Sequence, residues 1–210
     1  VTACTGDGKI YIVTLEEMTK DYVKGSIKEC LEHSQETTIP ITLYQGMPKG
    51  DKLEWIIQKC TELGISAIVP VETSRSVVHL DHKKAEKKLE RWQKIAQEAS
   101  QQSKRVQIPQ VGPYLQWSAF LQQLDTVKGL KILLWEEEQQ QGLKAVLQQW
   151  SEVPEEIAVI VGPEGGFSTE EAVQLQQKGA ICTTLGKRIL RTETAGMAAL
   201  SMIVYEYDEM

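Results

Sequence analysis

Short, nearly continuous apolar runs constrain this chain most strongly. Residues 65-ISAIVPV-71 and 157-IAVIVG-162 carry one polar side chain between them, as expected of strands that are covered on both faces. Between such runs lie stretches of helical periodicity. In 51-DKLEWIIQKCTELG-64 the apolar residues recur on one face, with Asp51 as the N-cap and Gly64 after the last turn. Strands that alternate with helices predict an α/β fold, in which a mostly parallel sheet has helices on both faces.

The first part of the chain has a different pattern. Residues 10-IYIVTLEEM-18 and 22-YVKGSIKECL-31 roughly alternate apolar and polar side chains, which is typical of half-buried strands. Two such strands are too few for a stable sheet, so we expect the remainder of a small β domain whose start is missing here. The polar stretch 32-EHSQETTIP-40 predicts the boundary, which divides the chain into domains 1–37 and 38–210.

Charge and hydropathy limit the partners of the chain. A net charge of −6 over 210 residues disfavours a protein that coats nucleic acid by bulk attraction. The segment 82–105 is an exception, since it holds eight lysines and arginines against three acids. Such a local basic face suits either a limited nucleic-acid contact or an ordinary solvated helix. No apolar run approaches the roughly 20 residues that cross a bilayer, and no signal peptide opens the chain, so we expect a cytoplasmic protein without membrane contact.

The cysteines and histidines give little support to a metal site. The four cysteines are scattered without a CxxC pair. His79, Asp81 and His82 lie close together in the sequence, but zinc ligands usually lie on one helix face or across a knuckle. A polar loop that enters a helix explains these three residues better, and we expect no metal.

Three turns follow three consecutive predicted strands. They are 133-LLWEEE-138, 162-GPEGG-166 and 185-LGKRILRTETAG-196. The carboxyl ends of parallel strands meet at one edge of a sheet, where ligands bind in open α/β folds. The sequence therefore predicts a ligand site that is built from these three turns.

The middle turn does not fit a phosphate-binding loop. It lacks the lysine and the GK[ST] ending of a P-loop, and Pro163 and Glu164 occupy the tight turn of a GxGxxG fingerprint. Pro163 stiffens the loop, while Gly165 and Gly166 allow a flat ligand to approach the main chain. A merely structural turn between a strand and a helix is the alternative.

The third turn places apolar residues inside a charged loop. Ile189 and Leu190 are flanked by Arg188 and Arg191. Aliphatic side chains in such a position either plug the core or cover an apolar or aromatic ligand such as adenine. Arg191 and Glu193 either pair with each other for structural reasons, or one of them faces a reaction.

The same turns resemble those of a known family. GPEGGFS, followed by LGKRILRTETA at the start of the last predicted helix, resembles the RsmE-type 16S ribosomal RNA uridine methyltransferases of the SPOUT superfamily. The segments 49-KGDKLEWIIQKCTELG-64, 73-TSRS-76 and 98-EASQQSKRVQIP-109 support this resemblance, which covers nearly the whole chain in order. Thr73 and Gln101 depart from the family pattern, in which acidic residues are more usual.

The resemblance implies an architecture and partners. It implies a SPOUT-type parallel sheet that ends in a trefoil knot over about residues 130–210, preceded by part of a small PUA-like β domain that binds RNA. It also implies a homodimer that forms through the knot, with 16S ribosomal RNA or the small ribosomal subunit as the partner.

The resemblance also implies a reaction and its site residues. The reaction would transfer a methyl group from S-adenosylmethionine to N3 of a uridine, with Arg191 stabilising the anionic uracil and Glu193 orienting Arg191. Glu164 would lie near the positive sulfonium. RNA would contact Lys49, Arg75, Gln102 and Arg105. The cofactor would bind among Leu133, Leu134, Trp135, Glu136, Gly162, Pro163, Glu164, Gly165, Gly166, Leu185, Gly186, Ile189, Leu190 and Arg191.

Two other function classes stay open at this point. One is a non-catalytic RNA-binding or ribosome-assembly factor on the same fold, although the intact GPEGG and ILRTETA turns speak against it. The other is a phosphate- or nucleotide-handling enzyme on an ordinary doubly wound sheet. The missing P-loop lysine and the missing Rossmann fingerprint disfavour that class.

Overall fold

The computed structural model describes residues 1–4, 9–31, 36–138, 140–150 and 153–207. Within these residues the chain begins with a three-stranded antiparallel sheet, formed by β1 (Thr2–Cys4), β2 (Ile10–Met18) and β3 (Val23–Leu31). Side chains in the second half of β2 and in nearly all of β3 are exposed, so this sheet has little core of its own.

In the described part of the chain, six parallel strands form the main sheet. In chain order they are β4 (Ile41–Gly46), β5 (Ala67–Val71), β6 (Gln110–Val111), β7 (Leu130–Leu134), β8 (Ile157–Val161) and β9 (Ile181–Thr183). Their order across the sheet is β6-β5-β4-β8-β7-β9, so β4 and β8 lie at its centre. Every residue of β8 is buried, as its unbroken apolar sequence predicts. The predicted parallel α/β sheet is confirmed.

Helices cover both faces of this sheet. In chain order they are α1 (Lys52–Glu62), α2 (His82–Ser103), α3 (Trp117–Leu124), α4 (Leu143–Gln149), α5 (Thr169–Gln177) and α6 (Thr192–Glu206). Helices α1, α2, α4 and α6 pack on one face, while α3 and α5 pack on the other. Because successive strand residues point to opposite faces, Val159 joins the first core while its neighbours Ala158 and Ile160 join the second. No helix of the described residues is long and apolar enough to cross a membrane.

The helix ends follow local signals in the sequence. Asp81 caps α2 by accepting a hydrogen bond from Lys84 N at 2.8 Å. Gly64 follows α1 with a φ of 95°, as expected of the glycine after a last turn. Asp51 occupies the N-cap of α1 but makes no side-chain capping hydrogen bond within the described residues. The two-residue strand β6 lies within residues 108–113, whose prolines predict a loop. The sequence does not predict this strand, because two residues are too few for a periodic signal.

Candidate active site

The loops that follow β7, β8 and β9, together with the start of α1, surround a cavity of about 850 Å³. Strands β4, β8, β7 and β9 are neighbours in the sheet, so loops that are far apart in the sequence meet at its carboxyl edge. The volume lies within the range of about 300–1,000 Å³ that is common for small-molecule pockets. This is the edge at which the sequence places its three turns.

Most of the residues expected to contact the cofactor line this cavity. They are Leu134, Trp135, Glu136, Gly162, Pro163, Glu164, Gly166, Leu185, Gly186, Ile189, Leu190 and Arg191. Leu133 instead joins the core on the other side of the sheet, because adjacent strand residues point to opposite faces. Gly165 faces Arg75, whose Nη1 donates to the Gly165 carbonyl oxygen at 2.8 Å. The structure therefore places Leu133 and Gly165 outside the lining.

Apolar side chains stand exposed at the rim of the cavity. Ile189 is 86% exposed, and Leu190 beside it is half-buried. A single exposed aliphatic residue is common on protein surfaces, but these two lie in a concave site together with Leu185. An apolar or aromatic ligand in the cavity would remove this surface from water, which is favourable.

A buried hydrogen-bond network beside the cavity joins three elements. Gln45, at the end of β4, donates from Nε2 to Thr192 Oγ1 at 2.8 Å and to Gly162 O at 3.3 Å. Thr192 Oγ1 in turn donates to Gly162 O at 2.5 Å. This network holds together β4, the turn after β8 and the start of α6. The sequence does not identify Gln45 or Thr192 as members of this network. A glutamine at the end of an apolar strand could have indicated a buried polar contact.

The second glycine of the middle turn is required by its backbone conformation. Gly166 has a φ of 65°, which other residues rarely adopt. A Cβ at this position would lie 1.8 Å from Glu136 Oε1. The turn after β8 and the turn after β7 therefore meet at Gly166 and Glu136, on one wall of the cavity.

Glu164 is paired within the protein. Its carboxylate accepts hydrogen bonds from Lys52 Nζ at 2.8 Å and from the Lys49 backbone N–H at 3.1 Å. Burial pushes the pKa of Glu164 upward, but the hydrogen bonds from Lys52 and from backbone N–H groups outweigh it and hold the pKa below its ordinary value. The hydrogen bond to Glu164 also raises the pKa of Lys52. Lys52 lines the cavity and is not singled out by the sequence.

The two residues expected to act in catalysis lie at the start of α6. Arg191 is the N-cap residue, and its side chain is 82% exposed in the lining of the cavity. Its Nη1 is 4.0 Å from Glu193 Oε1, whereas Glu193 Oε2 lies 3.3 Å from Lys52 Nζ. Glu193 is therefore paired more closely with Lys52 than with Arg191.

Buried polar atoms without a hydrogen-bond partner among the described residues collect at this edge of the sheet. They include Trp135 Nε1 and Gln45 Oε1. Glu193 Oε2 is not counted with them, because Lys52 Nζ lies 3.3 Å from it. Buried polar groups are normally satisfied, so these orphaned atoms suit a site that receives a polar ligand.

The four residues expected to contact RNA divide into two groups. Lys49, Arg75 and Gln102 are exposed. The side chain of Arg105 is only 9% exposed, and it donates to the Glu36 carboxylate and to two backbone carbonyl oxygens. This placement disfavours Arg105 as an RNA contact, because its donors are used inside the protein.

No group of His, Cys, Asp and Glu side chains suited to a metal ion occurs in the part of the chain that the structure describes. His79 Nδ1 lies 2.7 Å from Glu72 Oε1, and His82 Nδ1 lies 3.5 Å from Glu86 Oε1. Asp81 caps α2. The three clustered residues of the sequence therefore have separate partners.

Comparison with known proteins supplies the family. Residues 35–204 match the family model of the RNA methyltransferase domain. The chain is 40% identical over 209 residues to the ribosomal RNA small subunit methyltransferase E of Bacillus subtilis (strain 168), with 98% of this chain and 81% of that protein covered.

Solved structures agree with this assignment. Ribosomal RNA small subunit methyltransferase E from Neisseria gonorrhoeae, bound to S-adenosyl methionine, matches with 32% identity and a TM-score of 0.86, covering 98% of this chain and 82% of that one. A Legionella pneumophila protein in complex with the bound cofactor SAM matches with 33% identity and a TM-score of 0.85, covering 98% and 82%. The chain belongs to the RNA methyltransferase family, in its ribosomal RNA small subunit methyltransferase E group.

Proposed function

We propose that this protein transfers a methyl group from S-adenosylmethionine to N3 of a uridine in 16S ribosomal RNA. The observation that carries the proposal is the cavity at the carboxyl edge, whose walls are the turn at 162–166 and the turn at 185–196. Relatives that share this fold at 32% and 33% identity hold the same cofactor. Since ribosomal RNA is the proposed substrate, the activity we propose is cytoplasmic.

The residues of the cavity fit this cofactor. Ile189, Leu190 and Leu185 provide apolar surface for an adenine ring, and Trp135 Nε1 is a buried donor without a partner among the described residues. The turn at 162–166 lines the cavity with Gly162, Pro163, Glu164 and Gly166. When bound, S-adenosylmethionine supplies a methyl group on a positively charged sulfur.

Glu164 has a role in the shape and the charge of this site. An acid is favourable near a cationic sulfur and costly near a phosphate. Its carboxylate is also tied to Lys52 and to the Lys49 backbone N–H. Glu164 therefore holds the middle turn against the start of α1 while it keeps negative charge at the cavity.

Arg191 is the residue that we assign to the uracil. N3 of uracil is a weak nucleophile until its proton leaves, and a cation aimed at the adjacent carbonyl oxygens favours the anion. Among the described residues the Arg191 guanidinium has the loose 4.0 Å ion pair with Glu193, so it can turn toward a substrate in the cavity. Glu193 steadies this end of α6 through Lys52.

We also propose the finer architecture of the family. Helix α6 packs on β4 and β8 at the centre of the sheet, although it follows the edge strand β9. The segment between β9 and α6 is hydrogen-bonded to the segment between β7 and α4. Thr184 N donates to Gln141 O at 2.9 Å, and Leu143 N donates to Thr184 O at 3.1 Å. This return path supports a trefoil knot within residues 130–210, and the antiparallel sheet supports a PUA-like domain at 1–37.

The experiment that tests the function is mass spectrometry of 16S ribosomal RNA. RNA from a strain that lacks this protein should miss one methylated uridine, and expression of the chain should restore it. Calorimetry with S-adenosylhomocysteine should show binding to the purified chain. Absence of both the methyl group and the binding would favour a non-catalytic RNA-binding or ribosome-assembly factor instead.

A further inference from the structure

Helix α2 is longer than α1, the helix against which it packs. It has 22 residues, whereas α1 has 11. The two helices run in the same direction, and contacts near both ends of α1 set their register. Arg91 Nη2 donates to Glu54 Oε2 at 2.7 Å, and Arg105 Nη1 donates to Thr61 O at 3.0 Å. The first two turns of α2, residues 82–88, therefore extend past the start of α1.

This extension lies on the same side of the sheet as the cavity. Helices α1 and α2 follow β4 and β5 of a parallel sheet, so both begin at its carboxyl edge. Lys52, at the start of α1, lines the cavity. Packed helices lie about 8–10 Å apart, so a large substrate that reaches into the cavity passes close to the first turns of α2.

One face of α2 is basic. At about 100° per residue, its cations between 83 and 94 fall on one side of the helix, most of them away from the buried Trp92 and Ala96, with Lys88 at the border beside Trp92. Glu86 and Glu90 fall on the flank of this side. The cations of the face are Lys83, Lys84, Lys87, Lys88, Arg91 and Lys94.

Three of these cations have no carboxylate partner in the described part of the chain, since Lys84 pairs with Asp81 at 3.1 Å, Arg91 pairs with Glu54, and Lys94 pairs with Glu98 at 3.9 Å. Of the three, Lys88 is half-buried, with its Nζ over the Trp92 ring. Lys83 and Lys87 are exposed, lie one helical turn apart, and form no ion pair with any described residue. They also lie within the extension itself.

We infer that the first turns of α2 bind backbone phosphates of the RNA substrate, with Lys83 and Lys87 as the main contacts. The inference rests on the proposed function for the identity of the partner. The stripe from Lys83 to Lys94 is about 16 Å long at 1.5 Å per residue, which is long enough to meet several phosphates. Exposed Lys49 and Arg75, in the loops that follow β4 and β5, continue positive charge along the same edge.

The charge of the whole chain makes a local basic surface important for RNA binding. A net charge of −6 disfavours binding by bulk attraction, so local clusters of cations have to supply the phosphate contacts. Phosphate contacts of lysines hold a nucleic acid in register without reading its sequence. The extension of α2 would therefore position the RNA, while the cavity selects the base.

The test is a double variant with a matched control. Lys83→Gln/Lys87→Gln removes two charges from the extension, and Lys104→Gln/Lys128→Gln removes two exposed charges at the opposite edge, after α2 and before β7. Binding of in-vitro-transcribed 16S ribosomal RNA is measured from 50 to 200 mM salt. The first variant should bind about tenfold more weakly at low salt, and the slope of log K against log[salt] should fall by about 1.4 to 1.8. The control should match the wild type.

Two further measurements separate the possible failures. Calorimetry with S-adenosylhomocysteine should give the wild-type affinity for both variants, and Lys83→Arg/Lys87→Arg should restore RNA binding because it keeps the charges. Equal RNA affinity and equal salt slopes in the two glutamine variants would overturn the inference, and so would a failure of the arginine variant to restore binding. If the wild type shows the predicted RNA binding but methylates no RNA, the proposed function fails while the inference stands.

Discussion

Lys52 is held between two carboxylates that come from different elements. Glu164 belongs to the turn after β8, and Glu193 belongs to the first turn of α6. Exposed ion pairs contribute little to stability by themselves. Here the pairs matter for shape, because one ammonium group links the start of α1 to both walls of the cavity.

Replacing Lys52 with methionine should raise the pKa of Glu164. Burial raises this pKa, and the hydrogen bond from Lys52 is the strongest of the effects that lower it, so the variant loses the main effect that opposes burial. In the wild type the lowered pKa means that Glu164 stabilises the fold above its ordinary pKa of 4.5, and that this contribution is lost as the pH falls through the folded-state pKa. An NMR titration of the Glu164 carboxyl group measures the shift.

Lys49→Met is the control for this titration. Lys49 reaches Glu164 through its backbone N–H and not through its side chain, so its replacement should leave the pKa of Glu164 unchanged. An equal rise in both variants would show that the Lys52 side chain is not the main partner.

Arg191→Met should slow methyl transfer without preventing cofactor binding. Loss of one donor to a developing anion lowers a rate constant by about 100-fold or more. Single-turnover transfer of a labelled methyl group to 16S ribosomal RNA measures the rate constant, and calorimetry with S-adenosylhomocysteine should show an affinity within a few fold of the wild type. Arg188→Met, in the same loop, should have little effect on the rate. A similar loss of rate in both variants would remove Arg191 from its assigned role.

At the scale of elements, Glu36 anchors the segment before β4 to the end of α2. Its carboxylate accepts hydrogen bonds from Arg105 and, at 2.9 Å each, from the backbone N–H groups of Val106 and Gln107. Its side chain is 6% exposed. The pair therefore fixes where the chain enters the main sheet, and it holds the Arg105 guanidinium inside the protein.

Arg105→Met should lower the free energy of unfolding by about 3–5 kcal/mol, because it leaves the buried Glu36 carboxylate without its cation. Urea unfolding measures the change. Arg91→Met is the matched control, since it breaks an ion pair whose arginine is exposed and should cost less than about 1 kcal/mol. The RNA affinity of the folded Arg105→Met protein should equal that of the wild type. A small loss of stability together with a large loss of RNA affinity would reinstate Arg105 as an RNA contact.

At the scale of the whole molecule, α4 and α6 end side by side. Gln148 Nε2 donates to Glu206 Oε1 at 3.1 Å and joins the two helices. Near these ends Tyr205 is 73% exposed and Met202 is 46% exposed, and Trp150 follows α4 with 38% of its surface exposed. Exposed apolar patches mark interaction surfaces, so this one supports the homodimer that the family resemblance implies.

Tyr205→Glu should convert the proposed dimer to a monomer. A charge placed in an apolar interface must lose its water without a partner, which is costly. Light scattering coupled to size-exclusion chromatography measures the mass. Tyr22→Glu changes a tyrosine that is 51% exposed in the turn between β2 and β3 and should leave the mass unchanged. A dimer that survives Tyr205→Glu would place the interface elsewhere.

Much of the fold and most of the cavity lining can be predicted from the sequence. The apolar run at 157–162 predicts a buried parallel strand, and Asp81 and Gly64 predict helix ends, because these signals act over a few residues. The turn at 185–196 predicts its wall of the cavity for the same reason, since its apolar and charged residues are adjacent in the chain.

Other features depend on which elements become neighbours. Lys52 and Gln45 enter the site because β4 lies beside β8 in the sheet, although more than a hundred residues separate Gln45 from Gly162 and Thr192 (117 and 147 positions). Leu133 leaves the site because the pleat of β7 points it to the other face.

The sequence by itself determined the α/β class, the carboxyl-edge site and the basic face of α2. Only the tertiary structure decided which cations are exposed to a ligand. Arg105 is buried against Glu36, whereas Lys83 and Lys87 are exposed on the turns of α2 that extend beyond α1. The physical reason is that propensity and periodicity are local, whereas burial and charge pairing depend on residues that the chain brings together from far apart.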